Sequence, residues 1–337
     1  MKAFILDRYK KQIPLRLGER PDPALRDSDV LVEVFSAGLN LLDAKIRDGQ
    51  FKPILPYKPP LVLGHDLAGR VVRTGAKASR FQIGDAVIAR PRDSRIGAFA
   101  EFIAVDEADL APKPANLTMD QAASIPLVGL TAWQALVERA DLKPGQKVLI
   151  HAGSGGVGTF AIQLAKHLGA HVATTTSAAN AELVRDLGAD VIIDYRTQDF
   201  AQILSDYDVV LNSLDEKTLE RSLAVLKPGG KLISISGPPD PAFAKAQGLN
   251  GVLRLLLALL SRSIRNKAKA RGVSYSFLFM RAEGGQLREI STLMEAGRIK
   301  PVLDRTFPFA ALNEAFAYIE TGRARGKVVA TLKADTQ

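Results

Sequence analysis

Three glycines at the spacing G-x-G-x-x-G form the pattern in this chain that most clearly indicates chemistry. Gly153, Gly155 and Gly158 lie in the stretch HAGSGGVG (151–158), after the apolar run KVLI and before the helix-like run VGTFAIQLAKHLG. Where a strand turns into a helix, free backbone N–H groups and the helix dipole converge on a spot that suits a pyrophosphate. The spacing therefore predicts a dinucleotide-binding turn, and a glycine-rich turn that serves only tight packing is the alternative.

Ser154, inside the same stretch, nearly completes the nucleophile-elbow pattern G-x-S-x-G of hydrolases. That chemistry needs an acid and then a histidine later in the chain. The only later histidines are His167, at the end of the next helical run, and His171, at the following strand. Neither position suits a base for Ser154, so the hydrolase interpretation is disfavoured.

The end of the second predicted strand indicates which dinucleotide the turn would suit. NAD sites place an acidic residue about 20 residues after the glycines, where it binds the ribose 2′-hydroxyl. Here the chain reads Thr174-Thr175-Thr176-Ser177, with Asn180 close behind and no carboxylate. Because hydroxyl and amide groups can donate to a 2′-phosphate without repelling it, we expect NADPH rather than NADH. A polar strand end without this role is the alternative.

Composition limits the remaining chemistries. The 337-residue chain contains no cysteine, which excludes disulfides, thiolate metal sites and thiol nucleophiles. No secretion signal opens the sequence, so a soluble protein of the reducing cytoplasm is expected. Much of the net charge of +9 comes from residues 251–272, which hold six Arg and Lys residues and no acid. Because this basic excess is local, nucleic-acid binding is not expected.

The elements that would position these residues differ between the two parts of the chain. From Lys147 onward, short β-branched runs alternate with helix-period segments, which is typical of a parallel, doubly wound sheet. Residues 1–122 instead contain short strands separated by Gly, Pro and Asp, as in a mainly antiparallel β domain. The predicted fold class is α/β, with a β domain over 1–122 that is rejoined by 300–337, and a dinucleotide-binding domain over 123–299.

Several longer stretches together resemble the medium-chain dehydrogenase/reductase superfamily, and within it the zinc-free quinone oxidoreductase and enone reductase group. They are AGLNLLDAKIRDG (37–49), LVLGHDLAGRVVRTGAKASRFQIGDAV (61–87), AASIPLVGLTAWQAL (122–136), the glycine stretch with AIQLAKHLGA, LGADVIIDY (187–195), LKPGGKLISISG (226–237) and RGKVVATL (325–332). The resemblance implies a GroES-like β domain, a Rossmann domain with NADP bound in the cleft between them, and NADPH-dependent reduction of quinones or α,β-unsaturated carbonyl compounds.

The resemblance also implies which residues bind the cofactor. It places Ser154, Gly155, Gly156, Val157 and Gly158 at the pyrophosphate; Ser177, Asn180 and Tyr195 at the 2′-phosphate; Asn212, Ser236, Gly237, Phe277, Leu278 and Phe279 at the nicotinamide end; and Lys327 at a late cofactor contact. Asn180 departs from the family pattern, because relatives often carry lysine there.

A zinc site is not expected from the residues that replace the family's ligands. Zinc-dependent members read G-V-C-H-x-D where this chain has GLNLLD (38–43), and G-H-E where it has Gly64-His65-Asp66. Only the histidine is kept, and a catalytic zinc needs several protein ligands. His65 then either donates a hydrogen bond in the cleft or is a structural histidine with its partners inside the fold.

Few residues are expected to act on the substrate, since hydride transfer is the cofactor's own chemistry. Asn40 is the best candidate to donate to the developing oxyanion, because its amide replaces a zinc thiolate, and an amide that caps a turn is the alternative. Asp43 is expected to hold its loop or a cofactor-side partner rather than act as a general acid. Tyr57 and Thr131 are expected to line the pocket. Alcohol oxidation is disfavoured, since neither zinc nor a Tyr-Lys pair would stabilise an alkoxide.

The segment GVLRLLLALLSRSIRNKAKARG (251–272) interrupts the alternation of strands and helices. Its apolar part is too short to cross a bilayer, which needs about 20 residues. It is either a helix packed over the active-site cleft with a solvated basic end, or a basic amphipathic helix on an anionic membrane surface. For the whole protein, the alternatives to a reductase are an NADPH-binding protein without turnover and a peripheral membrane binder. The resemblance implies a homodimer.

Overall fold

Strands and helices fill both halves of the computed structural model, which describes residues 1–52, 54–55 and 57–334. The strands are β1 (Lys2–Leu6), β2 (Arg16–Glu19), β3 (Asp29–Leu39), β4 (Leu61–Val62), β5 (Asp66–Thr74), β6 (Ala86–Ala89), β7 (Phe102–Asp106), β8 (Leu110–Pro112), β9 (Lys147–Ile150), β10 (His171–Thr176), β11 (Val191–Asp194), β12 (Tyr207–Asn212), β13 (Leu226–Ser234), β14 (Ser274–Phe277), β15 (Leu303–Pro308) and β16 (Lys327–Thr331).

The helices connect these strands or cover them. They are α1 (Leu41–Arg47), α2 (Met119–Ala123), α3 (Pro126–Trp133), α4 (Gly156–His167), α5 (Ala181–Asp186), α6 (Phe200–Ile203), α7 (Glu216–Ser222), α8 (Pro241–Ala246), α9 (Gly251–Leu260), α10 (Arg262–Ala270), α11 (Gly284–Glu295) and α12 (Leu312–Glu320). Helix α3 continues directly into a π-helical segment, Gln134–Arg139.

The chain divides into two units at different residues from those expected. One unit consists of Met1–Leu130 and the residues from Arg281 onward, and the other of Thr131–Met280. The sequence prediction put the crossings at 122–123 and 299–300, which assigned α11 to the dinucleotide-binding domain. Helix α11 instead lies in the first unit, where Ser291 donates to the Pro112 carbonyl at 3.0 Å.

The first unit is built on two sheets. The larger has the strand order β15-β16-β3-β5-β6-β8, with β7 also paired to β3, and the smaller has the order β2-β1-β4. Strand β3 is buried along almost its whole length. Its antiparallel partner β16 sets Val328 opposite Leu39, which brings the neighbouring residues Lys327 and Asn40 together. The GroES-like β domain expected from the sequence is confirmed.

The second unit contains a parallel sheet with the order β11-β10-β9-β12-β13-β14. This is the doubly wound order of a Rossmann domain, in which the chain reverses direction across the sheet between the first strand, β9, and the fourth, β12. Ligands of such sheets bind at the carboxyl ends of the strands beside this switch point. Helix α4 follows β9 there, in the helix-like run after the glycine stretch, and buries Phe160 and Leu164. The expected Rossmann architecture is confirmed.

The segment 251–272 forms helices α9 and α10, and α9 contains no buried residue. Leu255, Leu256, Leu259 and Leu260 are exposed and Leu253 and Leu257 are partly buried, so both alternatives for this segment stay predictions. Within the described residues, no helix has the length and apolar character of a membrane span.

Candidate active site

The glycine turn joins β9 to α4 at the switch point of the parallel sheet. Gly155 is the N-cap residue of α4, with φ −82° and ψ 172°, and no side chain caps this helix. The first N–H groups of a helix have no partner within it. Because residues 154–157 are partly exposed, those donors and the positive end of the helix dipole are open to an anionic ligand.

Two of the glycines are required by close packing inside the turn. A Cβ on Gly158 would lie 2.3 Å from the Ala152 carbonyl oxygen, and a Cβ on Gly153 would lie 2.1 Å from Thr174 Oγ1. Gly155 has more room, since its nearest neighbour would be 3.3 Å away. The pattern therefore has a packing role at Gly153 and Gly158, and it leaves an open backbone at Gly155. A pyrophosphate fits this arrangement.

Ser154, which is expected at the pyrophosphate, and Asn180, which is expected at the 2′-phosphate, are hydrogen-bonded to each other. Ser154 Oγ accepts from Asn180 Nδ2 at 3.0 Å and from Thr176 Oγ1 at 3.0 Å. Asn180 Oδ1 is buried and finds no partner among the described residues. An unpaired buried acceptor is costly, so this oxygen indicates a donor that belongs to a ligand.

His151 stands directly before the turn but does not touch Ser154. Its Nδ1 is 3.1 Å from Thr175 Oγ1 and its Nε2 is 2.9 Å from Ser222 Oγ. Burial lowers the pKa of His151 to about 4, so the ring is neutral at physiological pH. Both ring nitrogens are engaged elsewhere, which removes the last histidine near Ser154 and with it the hydrolase interpretation.

The residues expected at the 2′-phosphate follow neighbouring strands of the sheet. Ser177 comes directly after β10 and Tyr195 directly after β11, and the Tyr195 N–H donates to the Thr176 carbonyl at 3.1 Å. Tyr195 is 59% exposed. The Arg196 guanidinium carbon lies 5.8 Å from the centroid of the Tyr195 ring. Sequence reasoning did not consider Arg196, the exposed cation directly after the expected Tyr195.

A hydrogen-bond network joins three of the residues expected at the nicotinamide end. Asn212, the last residue of β12, donates to Ser234 Oγ at 3.2 Å and Ser236 Oγ at 3.4 Å, and the Gly237 N–H donates to Ser234 Oγ at 2.8 Å. Asn212 Oδ1 is buried without a partner in the described part of the chain. It is a second acceptor at the carboxyl edge of the sheet for which the protein supplies no donor.

Phe277, Leu278 and Phe279, which are expected at the nicotinamide end, differ in how far their side chains are buried. The Phe277 N–H donates to Asp240 Oδ2 at 2.9 Å, and the Leu278 N–H donates to the Ser234 carbonyl at 2.8 Å. Both side chains are buried, and Phe277 packs edge-on against Phe243. Phe279 is only partly buried, which leaves it as the side chain of the three that can contact a cofactor.

In the first unit, Asn40, Asp66 and Lys327 form a buried cluster. Lys327 Nζ donates to the Leu39 carbonyl at 2.8 Å, to Asn40 Oδ1, and to Asp66 Oδ2 at 3.1 Å. Asn40 Nδ2 donates to Asp66 Oδ2 at 2.8 Å. Asn40 is the N-cap residue of α1 but makes no side-chain capping bond to that helix, and its Nδ2 also donates to the Gly38 carbonyl at 3.4 Å. All three Nζ donors of Lys327 are engaged in this cluster. Its expected contact with the cofactor stays a prediction.

Asp43 holds the loop that contains His65. Asp43 Oδ1 accepts from the Gly64 N–H at 3.1 Å and lies 2.6 Å from His65 Nδ1. Both side chains are fully buried, and the second atom of each, Asp43 Oδ2 and His65 Nε2, has no partner among the residues described. His65 is therefore positioned by Asp43, and both interpretations of its role stay predictions.

Tyr57 presents an unengaged hydroxyl. The hydroxyl oxygen is buried and has no hydrogen-bond partner in the described residues. Burial raises the pKa of Tyr57, and the nearby Asp93 carboxylate raises it further. The phenol therefore stays protonated and available as a donor. Thr131, the other residue expected in the pocket, is buried at the start of the second unit.

The cluster around Asp66 is a structural feature that sequence reasoning missed. Asp66 Oδ1 also accepts from the Leu127 N–H at 2.6 Å, so one carboxylate joins β5, α3, β16 and the end of β3. Lys327 and Asp66 are 261 residues apart, and only the pairing of β16 with β3 brings them together. No local pattern could have indicated the contact. In the described residues, no group of three His, Cys, Asp or Glu side chains is arranged to hold a metal.

Comparison with known proteins places this chain among oxidoreductases. Residues 26–115 match the alcohol dehydrogenase GroES-like domain, and residues 187–329 match the family described as zinc-binding dehydrogenase. The zebrafish (Danio rerio) NAD(P)H oxidoreductase RTN4IP1, mitochondrial, is 35% identical, covering 99% of this chain and 92% of the relative. The Arabidopsis thaliana NADPH-dependent alkenal/one oxidoreductase, chloroplastic, is 34% identical, covering 98% and 79%.

A solved structure agrees with these relatives. The quinone oxidoreductase from Coxiella burnetii is 29% identical and superposes with a TM-score of 0.86 over 99% of both chains. The fold and the site define an oxidoreductase with a GroES-like domain and a Rossmann domain. The chain belongs to the medium-chain dehydrogenase/reductase superfamily, in its quinone and enone oxidoreductase group, as the sequence resemblance implied.

The comparisons contradict the expected cytoplasmic location. The zebrafish relative is named mitochondrial and the Arabidopsis relative chloroplastic. The expectation failed because it rested on the absence of cysteine and of a recognisable secretion signal, and neither feature identifies a compartment.

Proposed function

We propose that this protein is an NADPH-dependent reductase of quinones or α,β-unsaturated carbonyl compounds that works without zinc. The observation that carries the proposal is the uncapped N-terminus of α4, which the glycine turn opens at the switch point of a parallel sheet. A bound nicotinamide coenzyme supplies the hydride for the reduction. The protein's own residues then have to hold the coenzyme, orient the acceptor and stabilise the charge that develops on it.

Side chains at the carboxyl edge of the sheet fit the rest of the coenzyme. The N–H groups of Gly156, Val157 and Gly158 would bind the pyrophosphate, with Ser154 beside them. The unpaired oxygens Asn180 Oδ1 and Asn212 Oδ1 would accept hydrogen bonds from the adenosine and nicotinamide ends. Ser236, Gly237 and Phe279 would complete the nicotinamide end, because the Ser234 network ties their segment to Asn212.

NADPH is preferred over NADH in this proposal because the strand ends carry donors and a cation. Ser177 follows β10 without a carboxylate nearby in sequence, and Tyr195 with Arg196 follows β11. A guanidinium is suited to a phosphate dianion, with which it can form paired hydrogen bonds. The exposed Arg196 therefore takes the part that lysine plays in relatives where this chain has Asn180.

The acceptor's developing negative charge would be stabilised by Tyr57 rather than by Asn40. The amide hydrogens of Asn40 are directed to Asp66 and to the Gly38 carbonyl, so this side chain has little capacity left to donate. The Tyr57 hydroxyl is unengaged and remains protonated. Asn40, Asp43 and His65 then act as positioning residues. Lys327 replaces a metal as the cation beside Asp66, which favours a reaction without zinc.

Deuterium transfer tests the proposed reaction. The protein, dialysed against EDTA, is incubated with NADPH deuterated at C4 and with a panel of quinones and α,β-unsaturated ketones and aldehydes. We expect NADPH oxidation that needs no added metal, and deuterium at the β-carbon of the reduced enones. Tight NADPH binding without oxidation by any acceptor would favour the alternative, a coenzyme-binding protein without turnover. Activity that returns only with zinc would overturn the zinc-free mechanism.

A homodimer is part of the same proposal, since the family resemblance implies one. Light scattering coupled to gel filtration should give twice the chain mass of 36.3 kDa, and a single chain mass would contradict it.

A further inference from the structure

Helix α9 presents an apolar stripe to solvent. Val252, Leu255, Leu256, Leu259 and Leu260 recur at i, i+3, i+4, i+7 and i+8, which places them on one face of the helix. Their exposed fractions are 70%, 62%, 50%, 54% and 64%. An amphipathic surface helix normally turns such a stripe toward the core, so this orientation is the reverse of the usual one.

The orientation of α9 is fixed by its ends and by its neighbours. Asn250 caps the N-terminus by accepting from the Leu253 N–H at 3.0 Å. At the other end, Ser261 donates to the Leu257 carbonyl at 2.8 Å and Arg265 to the Ala258 carbonyl at 3.0 Å. The opposite face of α9 packs on α8 and α10 within the same unit. The stripe is therefore held outward by the fold.

Positive charge follows the stripe along the chain. Helix α10 buries Ile264 and Ala268 and exposes Arg262 and Lys269, and Arg271 directly after the helix is also exposed. These three cations have no ion-pair partner in the part of the chain that the structure describes. Residues 251–272 contain no Asp or Glu to offset these cations. The stripe and the cations together are the features by which interfacial helices bind anionic membranes.

We propose that α9 and α10 form a docking surface for an anionic lipid bilayer, with the stripe of α9 among the acyl chains and the cations of α10 at the phosphate headgroups. A ten-residue helix is about 15 Å long, so it lies in the interface and does not cross the bilayer. This inference does not depend on the proposed reductase activity.

Charge favours a bilayer over a second copy of the chain as the occupant. Two copies that pack stripe against stripe about a two-fold axis present identical surfaces to each other. Because residues 251–272 hold six cations and no acid, such a pairing brings two positively charged surfaces together, which is unfavourable. An anionic bilayer covers the leucines and neutralises the cations at the same time.

Vesicle sedimentation tests the docking surface. The full chain is mixed with vesicles of phosphatidylcholine alone, or of phosphatidylcholine with phosphatidylglycerol, at low and high salt. We expect binding to the anionic vesicles only, and weaker binding at high salt. Leu255→Gln with Leu259→Gln should lower vesicle affinity at least tenfold, on the order expected for loss of two buried leucines. Arg262→Gln, Lys269→Gln and Arg271→Gln together should lower it about fivefold for each cation.

Matched substitutions in the other unit provide the controls. Leu17→Gln with Ile83→Gln removes two exposed apolar side chains, and Arg288→Gln, Arg298→Gln and Arg323→Gln remove three exposed cations; neither set should change vesicle binding.

Equal urea midpoints and NADPH affinities would show that the α9 and α10 variants are folded. Absent vesicle binding, equal binding to neutral vesicles, or equal losses in the controls would overturn the proposal. So would an α9 variant that changes the oligomeric state and not vesicle binding, since the stripe would then be an interface between copies.

Discussion

At the scale of single residues, the Lys327 ammonium and the Asp66 carboxylate explain why the first unit tolerates charges in its interior. Both side chains are buried, at 6% and 0% exposure, and the transfer of either charge alone out of water is costly. Asn40 bridges them with both ends of its amide. The buried ion pair of Lys327 with Asp66 therefore holds this part of the fold together.

Lys327→Met should be strongly destabilising, because it leaves the Asp66 carboxylate buried without its cation. We expect a loss of about 3 kcal/mol in the free energy of unfolding, measured with urea. Lys333→Met is the control, since Lys333 forms an exposed pair with Glu33 and should cost less than about 1 kcal/mol. A loss at Lys327 as small as the loss at Lys333 would show that the cluster contributes little.

Tyr57 allows a second test at this scale, directed at chemistry rather than stability. Tyr57→Phe removes one hydroxyl that has no partner in the described residues, so folding should be unaffected. Because loss of one oxyanion donor costs about a hundredfold or more in rate, we expect kcat for enone reduction to fall by about that factor while NADPH affinity is kept. Tyr318→Phe, whose hydroxyl pairs with Asp304, should leave kcat unchanged. A Tyr57 variant within twofold of wild type would remove this residue from the mechanism.

At the scale of elements, the strand ends of the parallel sheet bring together the residues that we propose to bind the cofactor. Strand β9 ends just before the glycine turn, β10 before Ser177 and β11 before Tyr195. Strand β12 ends at Asn212, and β13 ends two residues before Ser236. Parallel pairing puts all of these ends on one edge of the sheet. Residues that are far apart in the chain would thereby lie side by side along an extended ligand.

Arg196→Gln tests the assignment of the 2′-phosphate to the end of β11. Loss of a charge-assisted contact should raise the Kd for NADPH about tenfold and leave the Kd for NADH unchanged, as measured by calorimetric titration of both coenzymes. Arg288→Gln, a change at an exposed arginine of the other unit, should alter neither value. Equal weakening of both coenzymes would indicate that Arg196 affects the fold of the strand end rather than the phosphate.

The buried His151 at the end of β9 makes stability depend on pH. Its pKa is about 4 in the folded chain against 6.5 for an ordinary histidine, so only the unfolded chain takes up this proton between those values. The free energy of unfolding should therefore be level above about pH 7 and fall by about 3 kcal/mol toward pH 4 from this residue alone. In urea titrations across this range, His151→Gln should flatten that part of the profile and the exposed His167→Gln should not. Parallel profiles for wild type and His151→Gln would contradict the assignment.

At the scale of the whole molecule, local patterns could be predicted and long-range contacts could not. The glycine turn and the alternation of strands and helices are encoded within short windows, and both are found where the sequence indicates them. The contact of Lys327 with Asn40 depends on the pairing of two strands that lie far apart in the chain. The outward stripe of α9 was also beyond sequence reasoning, because periodicity defines a face of a helix without saying where that face points.

The predicted boundaries between the two units were wrong for a related reason. Helix α11 has the apolar period of any helix beside a sheet, and only its contacts with β8, such as Ser291 to Pro112, decide the unit to which it belongs. Composition also misled the prediction of compartment, because the absence of cysteine does not identify a compartment.

The central claim is that the backbone at the start of α4 binds the pyrophosphate of a nicotinamide coenzyme. A crystal structure of the protein soaked with NADPH tests it most directly. The account predicts electron density for the two bridging phosphates within hydrogen-bonding distance, about 3 Å, of the N–H groups of Gly156, Val157 and Gly158. Density for the pyrophosphate away from this helix terminus, at a concentration where NADPH is consumed in solution, would contradict it.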